Sequence, residues 1–493
     1  MCHKATSLLG CLAFSIAFSP TVSADWLRFR GPNGSGIHTE SDAPTSWSPK
    51  ENLKWKTPLP GAGVSSPIVV GDRVFVTCYS GYGIDREDPG DIENLKRHLV
   101  CVDRNTGKVQ WQKTIDAAQP EDPYSGMGVP SHGYASHTPA SDGEYVYAFF
   151  GKSGVYAFDM DGNQVWHRDV GQGSDPRRWG SSSSPILHED LLIVTASAES
   201  SSLVGLNKKT GEEVWRQETD GVNNVWGTPL LAKIDDERTD LVIGVPFEFW
   251  GLNPDTGKLR WYSEIMDTDQ YSSSVVESGG VVYGIEGRGG GSVAVKVGGK
   301  GDVTESNTVW NGNDSSRFGS PLVYDGRVYF FSGGIANCID ANDGSSIFKE
   351  RLPSSDTADR GSRPEGGGRP EGGRPEGGRP EGGRDDGGGF GGPGGGFRGP
   401  GGGGRGGFGG GRGGRGGGMG GQDYASPVAA NGKIYYVKSD GTAIVMAASD
   451  EFEQLAVNRF TDDRETFSGT PAISDGQLFA RSDKHLYCVA DEK

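Results

Sequence analysis

Side chains able to take part in chemistry gather in short stretches, each placed just before an extended apolar segment. They are His132, Tyr134 and His137 in HGYASHTP, Arg178 and Trp179 in RRWG, and Asn224 and Trp226 in NNVWG. Asp269 and Tyr271, Arg317 and Phe318, Tyr424, and Phe467 stand in the same relation to later segments. Aromatic rings with a guanidinium, amide or imidazole beside them have the composition of interaction hot spots. The chemistry they point to is recognition. The same rings would also serve to cap the segments that follow, and composition leaves both readings open. Bond-making chemistry has no comparable support. His132 and His137 share one loop, with no further zinc ligands at workable spacing. Gly151-Lys152-Ser153 lacks the earlier glycine of a phosphate loop, since Val146 stands there. There is no Gly-x-Ser-x-Gly elbow and no acidic calcium loop. No motif selects Asp269, Glu248 and Asn223 as a metal set. No catalytic or metal-binding residue is assigned.

The stretches recur because the chain repeats one phrase. Its clearest copy runs from His137 to Trp166, HTPASDGEYVYAFFGKSGVYAFDMDGNQVW. Thr138-Pro139 starts a strand, Asp142-Gly143 turns, and Glu144 to Phe150 has the Tyr, Val and Phe content of a second strand. Val155 to Asp159 gives a third, and Asp161-Gly162 turns into a fourth that carries Trp166. Four short strands repeated every ~45 residues are the signature of a propeller blade. The small-hydroxyl-Pro start returns at Ser66, Ser184, Thr228, Ser320, Ser426 and Thr470, and as Ser273-Ser274-Val275 without the proline. The pattern predicts an all-β, eight-bladed propeller of four-stranded antiparallel blades. Outer-strand aromatics follow most turn glycines: Trp55, Trp111, Trp166, Trp215, Trp261, Trp310 and Phe348. Packing between blades is their expected role. Leu53 to Lys56 reads as a fourth strand lacking its first three, and Thr470 to Ala490 as three strands lacking a fourth. The two halves should complete one blade and remove the open sheet edge.

The expected organisation is a signal peptide over 1–24, an extension over 25–52, and blades 1–6 over 53–352 with the closing strand at 53–58. An insert over 353–422 and blades 7–8 over 423–493 follow. Lys4, the apolar run from Leu8 to Phe18 and Val22-Ser23-Ala24 form the signal peptide, with cleavage after Ala24. Leu8-Leu9-Gly10-Cys11 looks like a lipobox, but too little apolar sequence precedes Cys11 for a lipid anchor to be expected. No later run reaches the ~20 apolar residues of a membrane span. Trp26, Phe29 and Trp47 mark the extension as a segment lying across the ring. The insert, RPEGG repeats followed by glycine with scattered Phe and Arg, lacks apolar surface to offset its ordering entropy and should be disordered. A net charge of −17 argues against nucleic acid. Cys101, Cys338 and Cys488 occupy equivalent places that want a small residue, and a Cys78–Cys101 disulfide is compatible with the sequence without being implied.

The repeated start, turn glycine and docked tryptophan together resemble the quinoprotein-type, or PQQ-repeat, propeller family, from Leu53 to Ala490 less the insert. In size the chain is similar to BamB-like members, which assist assembly of outer-membrane β-barrels. The resemblance implies eight blades and a periplasmic location. It does not imply one activity, because the family holds dehydrogenases as well as scaffolds. The reading adopted is an exported, non-catalytic, monomeric binding or scaffold module for envelope proteins or peptides, without a cofactor. One alternative is a quinoprotein dehydrogenase using PQQ and calcium. Enzymes of that kind typically carry adjacent cysteines, and this chain has no Cys-Cys pair. The other is a ligand-sensing propeller.

Overall fold

The computed structural model describes residues 25–39, 42–126, 129–287, 289–353 and 423–491. The expected signal peptide, and the insert apart from Pro353, lie outside them. The described residues form eight antiparallel sheets arranged as blades. Blade 1 is typical, with Ile68–Val70, Arg73–Ser80, Lys96–Asp103 and Val109–Asp116 paired in that order. The split blade closes as the sequence requires. Leu53–Pro58 pairs antiparallel with His485–Ala490, Leu53 opposite Val489 and Trp55 opposite Cys488. Blades 4 and 7 each gain a short parallel fifth strand, Gly301–Asp302 and Ile37–His38.

The hydroxyl that opens each blade has a definite task. The backbone N–H of Ser66 donates to Thr138 Oγ1, Thr138 to Ser184 Oγ, Ser184 to Thr228 Oγ1, and Thr228 to Ser274 Oγ. Ser274 donates to Ser320 Oγ, Ser320 to Ser426 Oγ, and Ser426 to Thr470 Oγ1. All are buried and 2.9–3.0 Å long. Each joins one blade to the next around the axis. The proline that usually follows holds the hydroxyl residue extended.

At the rim the tryptophans make a second set of joints. Trp55 Nε1 donates to Arg104 O, Trp111 to Met160 O, Trp166 to Lys208 O, Trp215 to Pro254 O and Trp310 to Ala341 O. Each acceptor lies in the turn of the following blade. The ring rests on that turn's glycine: a Cβ on Gly211, whose φ is +72°, would come within 2.6 Å of the Trp166 ring. The small position in each third strand faces the blade's own aromatic, as Cys101 faces Trp111, Gly205 faces Trp215 and Cys338 faces Phe348. Trp261 departs from the pattern. Its Nε1 donates to Asp240 Oδ2 at 2.8 Å, a buried carboxylate also held by Arg238 and Arg260. Cys78, Cys101, Cys338 and Cys488 are all free and buried.

The extension crosses the ring. Trp26, fully buried, bridges to Val69 in blade 1. Arg28 Nη2 then donates to Pro229 O in blade 4 and Arg30 Nη2 to Pro321 O in blade 6. Ile37–His38 adds to the inner strand of blade 7. The acceptor prolines directly follow the ring hydroxyls Thr228 and Ser320, so the segment lies just beneath that ring.

Removing one hydroxyl should test the axial joint. Thr228→Val leaves the Ser184 N–H buried without its partner and should lower stability by about 1–3 kcal/mol, while Thr228→Ser should lower it far less. Chemical denaturation of both variants measures the difference.

Candidate functional site

Residues two positions before each ring hydroxyl point the same way as the hydroxyl, because strand side chains alternate. They are Val64, Ser136, Ser182, Trp226, Ser272, Phe318, Tyr424 and Ser468, and all line a central chamber of about 140 Å³. The hydroxyl ring forms its lower tier, Phe29 closes it from below, and His132 and Trp179 complete the upper wall. Two aromatic pairs stand in that wall. Trp179 and Trp226 have ring centroids 5.4 Å apart, and Phe318 stacks on Tyr424 at 4.6 Å. Arg177 lies 5.7 Å from the Trp179 ring and Arg317 lies 5.2 Å from the Phe318 ring. Arg177 also pairs with Asp269 at 2.7 Å and donates to Gln270.

The same alternation removes some sequence candidates from the channel. Tyr271 and Phe467 stand three positions before their hydroxyls and point away. Tyr271 is wholly buried edge-on to Phe249, and Phe467 is buried against Phe460. Neither can meet a partner. Tyr134 is buried among Tyr79, Tyr82 and Tyr124, its hydroxyl on Asp122 O. Trp226 faces the chamber yet is only 9% exposed, and its Nε1 donates to Gly180 O. Trp179, Phe318 and Tyr424 are half-buried, and Arg178, Asp269 and Arg317 are exposed. Asn224 adopts a positive φ of 61° and places its Nδ2 3.4 Å from Asp269 O. His132 and His137 are both engaged by protein groups. His132 Nδ1 meets Ser136 Oγ at 2.7 Å and its Nε2 meets Trp179 O at 2.5 Å, while His137 Nε2 meets Ser181 Oγ at 3.0 Å. Among the described residues, the one group of three side chains close enough to share a metal is His188, Glu189 and Asp255, none of them a sequence candidate.

Beside the chamber lies a buried charged pocket that the sequence reading missed. Arg97 pairs with Glu121 at 2.5 Å and Lys152 with Asp122 at 3.2 Å, all four almost fully enclosed. Lys152, the lysine of the false phosphate loop, is therefore a structural counter-ion. Ser181 Oγ donates to Glu199 Oε1 and links it to His137. Among the described residues, Glu199 Oε2 and His137 Nδ1 have no partner. Burial pushes the Glu199 carboxyl up to about 7, against the Ser181 hydrogen bond. Burial, aided by Arg97, pushes His137 down to about 3. Six separate segments supply these groups, so no local spacing could have announced them.

The family model described as outer membrane protein assembly factor BamB, a PQQ-repeat family, matches residues 95–350. The chain belongs to this family. A curated relative, polyvinylalcohol dehydrogenase from Pseudomonas sp, is 21% identical over 275 residues, covering 45% of this chain and 37% of the relative. The match thus spans little more than a third of that protein's length. Among solved structures, BamB from Moraxella catarrhalis has a TM-score of 0.52 at 11% identity, covering 89% of this chain and 99% of its own. A europium-containing methanol dehydrogenase has a TM-score of 0.58 at 10% identity, covering 95% and 98%. At such identities these likenesses speak for the propeller fold alone.

The pocket's two titrating groups act in opposite senses. Between pH values of about 4.5 and 7 the folded family member keeps a Glu199 proton that the unfolded chain has lost, so this share of stability falls as pH rises. Between about 3 and 6.5 the unfolded chain gains a His137 proton that the folded one refuses, so that share falls as pH drops. Each is worth on the order of 3–5 kcal/mol when fully expressed, and they largely cancel where the ranges overlap. Glu199→Gln should expose the histidine alone, so that stability drops more steeply than in the parent from pH 6.5 to 4.5. Denaturant titrations across that range test this, and unchanged slopes would mean that Glu199 is ionised throughout.

Proposed function

We propose that the protein is an exported, non-catalytic propeller of the periplasm that binds envelope proteins through its entry-loop face. A side chain of the partner enters the central chamber. The chamber itself carries this reading. A cavity of about 140 Å³ is close to the ~150 Å³ apolar cavity that accepts one benzene molecule, so it suits a single ring or side chain. Half-buried Trp179, Phe318 and Tyr424 offer rigid aromatic area around it, and exposed Arg178 and Arg317 give a polar rim. The BamB description of the family is in keeping with an assembly role and protein partners. A monomer suffices for such a role.

The dehydrogenase alternative draws on the relatives named polyvinylalcohol and methanol dehydrogenase. The donor set does not fit PQQ with calcium. Calcium takes six to eight oxygens and favours carboxylates, whereas no Asp or Glu lines the chamber among the described residues. The free cysteines sit in separate strands, with none adjacent to another. No catalytic step is derived through the cofactor. A ligand-sensing role differs from partner binding only in what fills the chamber.

Two variants separate recognition from support. Trp179→Ala should weaken partner capture by about 2 kcal/mol or more if the ring is a hot spot, with little change in melting. Trp226→Ala should lower stability by about 3 kcal/mol, because its ring is nearly enclosed. Pull-downs from envelope extract, run beside thermal melts, distinguish the two. Normal capture by Trp179→Ala would remove the chamber mouth from the binding surface. In a dye-linked assay with added PQQ and calcium, alcohols should give no turnover. Stoichiometric cofactor binding with dye reduction would establish the dehydrogenase instead.

A further inference from the structure

The chamber is short of acceptors and rich in donors. Each of Thr138, Ser184, Thr228, Ser274, Ser320, Ser426 and Thr470 uses its oxygen to accept an N–H from the preceding blade. None of these hydroxyls donates to a protein group among the described residues, so their hydrogens remain for whatever occupies the axis. One tier higher, the Oγ of half-buried Ser272 is enclosed and has no partner among the described residues. No carboxylate lines the wall among the described residues.

Beneath the floor, which Phe29 forms, lies positive charge, although neither arginine lines the chamber itself. Arg28 and Arg30 flank Phe29, and their guanidiniums reach the proline carbonyls one residue below the ring. Arg30 is 1% exposed, yet among the described residues its Nε and Nη1 have no acceptor, and Arg28 Nε has none either. No carboxylate forms an ion pair with either arginine among the described residues. Burial lowers Arg28 to about 10 and Arg30 to about 9, so both stay charged at neutral pH. A buried cation without a counter-charge is costly. Its presence beneath the chamber of a chain carrying a net −17 is not a consequence of composition.

We propose that the central chamber is a carboxylate site, taking a monocarboxylate whose body is no larger than that of benzoate. Its oxygens accept from the hydroxyl ring, above the two guanidiniums. Its body lies between the Trp179–Trp226 and Phe318–Tyr424 pairs. The proposal rests on reading the chamber as the working site, and it names the chemistry of the occupant. The carboxylate belongs either to a free acid or to an acidic side chain on a partner's loop. An aliphatic or cationic occupant of equal size would leave the donors and the arginine charge unanswered, and water alone would answer the donors without the charge.

The test uses the purified full chain in buffer free of acetate and phosphate. Benzoate, benzyl alcohol and a capped Gly-Pro-Glu-Pro-Gly peptide are titrated separately against tryptophan fluorescence, which reports on Trp179 and Trp226, and against ligand-observed NMR saturation transfer. Benzoate should bind saturably and at least ten-fold more tightly than benzyl alcohol. Arg30→Gln should weaken benzoate about ten-fold without weakening benzyl alcohol. Should that variant unfold, Ser272→Ala, which loses one donor and no internal bond, should weaken benzoate two-fold or more. Binding of benzoate alone assigns a free acid, and binding of the peptide assigns a partner's side chain. Equal binding of benzoate and benzyl alcohol, or no saturable binding of benzoate or peptide, overturns the proposal. Partner capture is read by the separate Trp179→Ala pull-down. A failed carboxylate titration with intact capture therefore rejects this inference and leaves the proposed function standing.

Discussion

The ring is held at its centre by one repeated bond, a backbone N–H of each blade donated to the hydroxyl that opens the next. Seven such bonds run from Ser66 to Thr470. Blades contribute side chains to the interfaces, but apolar packing is not directional and would tolerate sliding. The hydroxyl bond fixes the height of every inner strand relative to its neighbour. Once that height is set, residues two positions back fall on a common level and form a wall. The chamber is thus a by-product of the joint that builds the ring. The tryptophan joints at the rim do the same work at larger radius, where an indole N–H and a turn glycine set spacing as well as packing.

Much of this was legible before any coordinates. The hydroxyl-Pro starts, turn glycines and outer aromatics mark the blades, and the broken blade at Leu53 foretold a partner near Val489. The small residues in the third strands have their reason in the ring that faces them, as Gly205 faces Trp215. The candidate site was legible only in part. Aromatics before the first strands were noticed as a class, and counting back from the hydroxyl would have divided them. Trp226, Phe318 and Tyr424 fall on the even positions that face the axis, whereas Tyr271 and Phe467 fall on odd ones and are buried. The serines of the upper tier were passed over because a lone serine carries no signal without the register. Glu199, Arg97 and Asp122 were beyond reach for a different reason. Their cluster joins one strand end to the loops of several blades, and loop geometry is not periodic.

Family membership and site chemistry answer different questions here. The PQQ-repeat match covers residues 95–350, and solved structures named as an assembly factor and as a dehydrogenase share the propeller fold. The chemistry of the chamber is set by a handful of side chains around one axis. In this chain they are hydroxyls, aromatic rings and arginines.

The strand Leu53–Pro58 that completes the last blade is made more than four hundred residues before its partner His485–Ala490. During synthesis it has no neighbour to pair with, and the growing stack of blades keeps an open edge until the final hairpin emerges. Contacts so distant along the chain form late and slowly, and exposed edges invite pairing with other chains. The last blade therefore acts as a completeness check. A truncated product of translation cannot seal itself, and it presents to proteases and chaperones the edge that the finished molecule hides.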